Sequence, residues 1–536
     1  MPSSPLPGPA AGSPGPGVRP HGGALAALHR LVVVALLGFA SGLPLALTGQ
    51  AMQAWLSLDG LDLKTIGFLS LVGLPYTFKF LWAPLMDRFD LPGLGRRRGW
   101  LVLTQLALGA ALWAMAGVSP RTELALFGLM AVAVAFLSAS QDAVYDGYRS
   151  DLLPPRERGL GASLNTMGYR IAMVVSGGIA MIWTDPVQGS GWSWPEVYRL
   201  MAGLMVGAAV LSAFALPRVA APPAVSTPMR RDLLGFLAVV AAVGVGYVAT
   251  QWLFAFAHHQ LAGPLASRPG ARGWLDLVLL LAGIGFTLPL AAWAARKARF
   301  ETLLSGLSNY FAQPGATGML VFIVLYKLGD AFAGSLMTPF LLQGMHFAQA
   351  EVGLVNKVLG IWLSVLGALV GGALMLRLGL WRALFVFGVL QMASNLGFWW
   401  LAVNGAGAMA GFTMPPFDLG FVKLAQPTPM DGGLILVIAA ENLTGGMGTA
   451  AFVAFLMSLT SQRFSATQYA LLSAFASVGR VWVGPLAGVL ALSIGWPAFF
   501  IVSTIFALPG VAMLWWLRPT VQALEVDPAT AGIEDD

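Results

Sequence analysis

From Leu31 onward the chain is written as a succession of apolar runs about as long as a bilayer crossing, each closed by a short cluster of Arg, Lys, Gly or Pro. Crossing the hydrocarbon core takes about 20 helical residues. Within lipid a continuous apolar run satisfies its own backbone only as a helix. The pattern therefore dictates an all-α integral membrane protein. Composition agrees: 57% of the chain is hydrophobic and 10% charged, whereas a soluble domain carries about 25% charged residues. A surface so poor in charge does not hold a chain of 536 residues in water.

The first six spans are expected at Leu31–Trp55, Thr65–Met86, Trp100–Gly117, Glu123–Tyr145, Ala162–Trp183 and Val197–Leu216. A polar linker, Pro217–Arg231, precedes two further spans at Leu233–Ala257 and Trp274–Ala295. A second group of six lies at Met319–Leu342, Val352–Leu376, Trp381–Val403, Leu434–Leu459, Gln468–Leu492 and Trp496–Leu517. The plan is 14 transmembrane helices, divided as a tail (1–27), a six-helix half (28–217), a linker with two extra helices (218–300), a second six-helix half (301–518) and a C-terminal tail (519–536).

With both termini inside, the inner loops hold 19 of the 30 Lys and Arg residues and the outer loops 6, the asymmetry that orients membrane proteins. The net charge of +6 is thus topological, and nucleic acid is not an expected partner. Cys is absent, which removes disulfides and thiolate metal sites. Among the five His no pair stands at i,i+4, and the adjacent His258 and His259 would point apart on a helix. No metal site and no catalytic set is read from the sequence.

The remaining Lys and Arg are inside spans, where an ionised side chain costs about 2.5–3.5 kcal/mol at mid-helix and marks function by default. With the acids, the intramembrane set is Lys79, Asp142, Asp146, Arg170, Lys327, Asp330, Lys357, Glu441 and Arg480. Asp142 and Asp146 share a helix face, and Gln141 and Tyr145 form the neighbouring pair. Proton coupling needs carboxylates whose protonation responds to burial and nearby cations, and Asp142, Asp146, Asp330 and Glu441 are the candidates. Lys79, Arg170, Lys327, Lys357 and Arg480 are candidate substrate cations, Arg offering bidentate carboxylate binding. Five cations against four acids leans toward an anionic solute. Gln50, Gln53, Gln141 and Tyr145 suit a hydroxyl-rich ring. Asp87 and Arg88, beside Arg96–Arg98, and Arg149, Asp151, Arg156 and Arg158 sit at the membrane edge and read as gate residues. Gly177-Gly178, Gly371-Gly372 and Gly445-Gly446 are expected to let helices approach closely, and Gly42-Leu43-Pro44 to loosen the first helix.

The halves repeat weakly. Arg170 precedes Gly178 by the eight residues that separate Arg480 from Gly488. Two parallel six-span repeats are the build of major-facilitator transporters, whose substrate site lies between the halves near the midplane. The loop Asp87-Arg88 to Arg96–Arg98 resembles the superfamily's signature between its second and third spans. The words SGLPLALTGQAMQAWL, DLKTIGFLSLVGLPYTFKFLWAPLMDR, ASQDAVYDGYRSDLL, RERGLGASLNTMGYR, LYKLGDAFAGSLMTPFL, EVGLVNKVLG and FSATQYALLSAFASVGRVWVGPLAG resemble the AmpG family of muropeptide permeases, from about Gly38 to Gly510.

That resemblance implies a permease of the inner membrane of a Gram-negative bacterium; the chain is expected to be a monomer surrounded by lipid. It would import N-acetylglucosaminyl-anhydro-N-acetylmuramyl peptides (anhydromuropeptides) for peptidoglycan recycling. It implies proton symport, no cofactor, and in many species a link to β-lactamase induction. The alternatives are a related facilitator of another anionic solute, such as an acyl-CoA or a sugar phosphate, a membrane enzyme acting on lipid-linked sugars, and a nontransporting receptor. The outer loop Asn404–Asp431 departs from a compact member and reads as an insertion at the outer entrance.

Overall fold

Backbone N–H and C=O groups that cannot reach water must be paired within their own segment, and every apolar run is accordingly helical. The computed structural model describes residues 24–86, 93–154, 157–217, 219, 229–266, 271–300, 304, 308, 311, 315–459 and 465–523. In chain order, α1 (Leu25–Leu58), α2 (Leu63–Phe78), α3 (Arg96–Met115), α4 (Leu124–Leu152), α5 (Leu160–Thr184) and α6 (Trp194–Ala215) form the first half. Next come α7 (Leu233–Leu261) and α8 (Ala271–Lys297). The second half is α9 (Ala316–Gly344), α10 (Gln349–Leu378), α11 (Leu380–Asn404), α12 (Gly432–Ser458) and a helical stretch Ser465–Trp516. Gly495, at φ 75° and ψ 169°, breaks that stretch into α13 (465–494) and α14 (496–516).

Among the described residues, 11 stretches are long and apolar enough to cross a membrane. The other segments of the expected plan are α2, shortened by 3-10 turns at Ser70–Gly73 and Lys79–Leu81, α3, which begins with three Arg, and the division of the last stretch at Gly495. The first helix already includes Ala24, and a short helix, Arg518–Ala523, follows α14 with Val521 buried.

Small residues set the helix spacing. A Cβ at Gly42 would stand 3.0 Å from Tyr169 Cα, which packs α1 on α5, and one at Gly371 would stand 2.7 Å from Met447 Cα, which packs α10 on α12. The paired glycines of the sequence divide their roles. Gly371 and Gly446 face a neighbouring backbone, whereas Gly372 faces open space and Gly445 meets only the Gln391 side chain. Gly42-Leu43-Pro44 is followed by a break at Thr48–Gly49, where Gly49 adopts φ −120° and ψ −109°.

The halves meet most extensively along two seams, α2 against α13 and α5 against α10, and the end of α1 also packs on the end of α9. At the first, a Cβ on Gly67 would strike the Gly484 carbonyl and stand 3.0 Å from Gly488 Cα. At the second, two π-helical segments face each other, Val174–Ile179 and Gly353–Leu359, and a Cβ on Gly178 would stand 2.7 Å from Lys357 Cβ. Both seams lie toward the face that carries the α1–α2, α5–α6, α9–α10 and α11–α12 connections, here the flap face.

The α11–α12 connection is a folded flap. Strands β1 (Phe412–Met414) and β4 (Thr428–Met430) pair antiparallel, as do β2 (Phe417–Asp418) and β3 (Lys423–Leu424). Its second arm alternates, with Val422, Leu424, Thr428 and Met430 buried and Phe421, Lys423, Ala425 and Pro429 exposed. Val422, Leu424 and Met430 join the main core that also holds Met181, Ile182 and Trp183 of the first half. Burial of three such side chains contributes on the order of 5 kcal/mol. The loop expected as an inserted cover is therefore part of the core.

Gly67→Ala is expected to lower the unfolding temperature by about 5 °C or more, because the methyl group collides with backbone. Gly203→Ala, with nothing within 4 Å, is the control and is expected to be neutral or stabilising. Tryptophan-fluorescence melts in detergent, read against the 18 native Trp residues, check this directly.

Candidate functional site

In the first half, α1, α2 and α4 bring the expected acids and cation together. Asp142 lies ten residues before the end of α4, about 15 Å along the axis, and accepts a short hydrogen bond from Ser41 of α1. One turn on, Asp146 lies 3.7 Å from Lys79 and 3.3 Å from Arg149. The two acids share a face but not an environment: Asp142 is partly buried, while the Asp146 side chain is 53% exposed. Gln141 is buried with neither amide atom hydrogen bonded among the described residues.

The second half carries its own cluster on α9, α10 and α12. Lys327 lies 3.8 Å from Asp330, 3.4 Å from the Thr449 hydroxyl and 5.4 Å from the centre of the Phe452 ring. Glu441 accepts from Asn442 at 2.6 Å, and Asn442 in turn accepts from Ser364 at 2.8 Å. Lys357, 5% exposed, lies against Gly177 and Gly178 in the α5–α10 seam. It is a cation at the boundary of the halves rather than within one of them.

Other expected site residues have structural partners. The Tyr145 hydroxyl meets the Val34 carbonyl and Asn165 Oδ1, both at 2.8 Å, and so ties α4 to α1 and α5. Gln53 donates to the Ser335 carbonyl of α9 at 2.9 Å, so it joins the halves. Gln50 is partly buried at the start of the second segment of α1, and Arg170 is partly buried in α5. Asp151 pairs with Arg97 at 3.0 Å. Asp87, Arg88 and Arg156 lie outside the described residues; Arg158 and Arg480 occupy helical positions, but their side chains lie outside the description.

Several partners were not singled out from the sequence. Arg30 and Glu157 form a two-pronged pair at 2.7 and 3.0 Å. Thr184 donates to Gln349 at 2.8 Å, and Asp185 accepts from the Ala350 backbone at 3.0 Å, both across the α5–α10 seam. Gln343 donates to the Ser57 and Leu61 carbonyls at 2.9 and 3.1 Å, linking α9 to the α1–α2 turn. The available signal was an acid or amide at the edge of an apolar run, as at Asp185 and Glu351.

Two charged clusters, one in each six-helix half, with both seams joined nearer the flap face, form the architecture of a two-bundle carrier. The sequence pattern described as the Major Facilitator Superfamily matches residues 31–430. The chain belongs to the major facilitator superfamily. It is a multi-pass membrane transporter, not an enzyme. It is 40% identical over 498 residues to the anhydromuropeptide permease of Escherichia coli (strain K12), covering 93% of this chain and 82% of that protein. It is 25% identical to the putative transporter AmpG 4 of Rickettsia conorii, covering 92% of this chain and 97% of that one. A crystal structure of a POT family transporter in complex with a thioalcohol-conjugated peptide shares the fold, with TM-score 0.60, 14% identity and coverage of 92% and 96%. Superfamily carriers run on ion gradients, and among the described residues no cluster of His, Asp and Glu is placed to hold a metal.

Arg30→Ala leaves the buried Glu157 without its guanidinium and is expected to destabilise the fold by about 3 kcal/mol. Arg30→Gln combined with Glu157→Gln is expected to regain most of that loss, measured as the shift in thermal midpoint of the two variants against the parent.

Proposed function

We propose that this transporter imports anhydromuropeptides across the bacterial inner membrane for peptidoglycan recycling. The cycle is alternating access driven by proton symport, with both termini in the cytoplasm and the chain acting as a monomer. The observation that carries the reading is the 40% identity, over 93% of the chain, to the E. coli anhydromuropeptide permease. The site chemistry supports it. A disaccharide-peptide brings hydroxyl-rich rings and several carboxylates, and the protein offers amides (Gln50, Gln141) and cations (Lys79, Arg170, Lys327, Lys357, Arg480). Gln53 and Tyr145 serve the site by holding the helices that shape it.

Of the acids, Asp142 is the leading proton carrier. Its hydroxyl partner Ser41 can donate to the carboxylate and accept from the carboxylic acid, so both protonation states keep a bond. Asp330 and Glu441 are the second-half candidates. Asp146, held between Lys79 and Arg149, is the other first-half candidate. Asp87, Arg88, Arg149, Asp151 and Arg158 belong to the gate at the terminal face.

Uptake of labelled N-acetylglucosaminyl-anhydro-N-acetylmuramyl tripeptide into vesicles with an imposed pH gradient tests the reading. Accumulation that collapses with a protonophore is the expected result, and absence of gradient-driven uptake of any anhydro-disaccharide peptide overturns it. Asp142→Asn is expected to reduce accumulation on the order of tenfold while counterflow exchange at equal pH and protein abundance stay closer to the parent. Normal gradient-driven accumulation by that variant would remove Asp142 from the proton path.

A further inference from the structure

The flap between α11 and α12 is rooted in the second half and bonded to the first. On its root side, Asp431 caps α12 by accepting from Leu434 N at 2.8 Å and accepts from Gly407 N at 2.5 Å. The Asp431 N–H donates to Glu351 of α10 at 2.7 Å. On its free side, Trp183 Nε1 of α5 donates to the Phe421 carbonyl at 2.7 Å, and Ala425 N donates to the Gln188 carbonyl at 2.8 Å. Beneath these bonds, Asp185 organises the same turn: one carboxylate oxygen accepts from Val187 and Gln188, and the other accepts from Ala350 at the start of α10. The buried edge Val422, Leu424, Thr428 and Met430 faces the protein over the same span.

We propose that the flap, with Asp185 as its seat, is a clasp that holds the flap face shut and must let go of Trp183 and Gln188 once in each transport cycle. The physical ground is the division of its bonds. Those to Glu351, Gly407 and Leu434 stay within one half and survive a rocking motion of the two halves. Those to Trp183 and Gln188, and the Asp185–Ala350 bond, cross the boundary. The α5–α10 seam cannot part at this face while they persist. When it parts, the apolar edge of the flap leaves the core it shares with Met181, Ile182 and Trp183. The flap therefore moves as a piece of the second half, and its crossing bonds set how readily this face opens. The clasp rests on the alternating-access part of the proposed function, and not on the identity of the solute.

The chain has no native cysteine, so a crosslink is clean. Gln188→Cys with Ala425→Cys places thiols on residues already joined by a backbone hydrogen bond. Oxidation of the pair in vesicles is expected to form the disulfide and lower anhydromuropeptide uptake at least tenfold, with recovery on reduction and no response in either single variant. A second arm needs no substrate. A lone reporter, Val355→Cys in the seam, is labelled by a membrane-impermeant maleimide from the flap face. Asp185→Ala combined with Trp183→Phe is expected to raise the labelling rate at least fivefold. Uptake that persists through a complete crosslink overturns the clasp, as does an unchanged labelling rate or failure of the pair to crosslink. If the parent chain transports no anhydromuropeptide, the labelling arm still decides the clasp, and the two failures are told apart.

Discussion

Gly67 and Gly484 bring the backbones of α2 and α13 so close that a methyl group on either would strike an oxygen of the other helix, and one on Gly178 of α5 would strike the Lys357 Cβ of α10. In lipid, apolar side chains gain little by leaving a solvent as apolar as themselves, so association rests on close packing and interhelical hydrogen bonds. Everything else depends on these crossings. They fix which helices of one half face the other. They also lie off-centre, toward the flap face, which leaves the charged clusters on the terminal side of the closure.

The energetic cost of those charges explains their arrangement. An ionised group at mid-membrane is expensive, and pairing or hydration is what makes it tolerable. Asp146 meets both requirements, with Lys79 and Arg149 beside it and half its side chain exposed. Lys327 is shared among Asp330, a hydroxyl and an aromatic face. Asp142 has, among the described residues, a single neutral donor in Ser41. A carboxyl group whose main partner is a hydroxyl exchanges a proton with less rearrangement than one locked to a guanidinium, because the hydroxyl rotor serves either state.

The fold class was legible because each span answers to its own composition: a run that cannot pair with water must be a helix wherever it ends up. The clusters were legible for a related reason, since a charge in such a run needs a partner and the partners available were few. What stayed hidden depends on helix rotation and tilt, which no local spacing encodes. Tyr145 and Gln53 look equivalent to Gln141 in sequence, yet one ties three helices, one joins the halves and Gln141 has neither amide atom hydrogen bonded among the described residues. The division of Gly371 from Gly372 is of the same kind. The flap was written in the sequence as the alternation Val422, Leu424, Thr428, Met430, a period-2 signal carried by a segment between two helices and so read as an insertion.

The two faces differ in the kind of bond they use. At the terminal face the ion pairs with described partners, Arg30–Glu157, Arg97–Asp151 and Asp146–Arg149, each stay within the first half. At the flap face the bonds that cross between halves are short-range amide, hydroxyl, indole and carboxylate contacts to backbone or amide groups. A carrier must reach two conformations that differ by only a few kcal/mol, or one of them is never populated. Ion pairs across the boundary would bias that balance strongly, since parting them strands two charges. Single hydrogen bonds, of which here only the one to the Asp185 carboxylate involves an acid, exchange for water at small net cost when a face opens. Confining strong pairs within a half and spending weak bonds between halves keeps each half rigid and the boundary free to move.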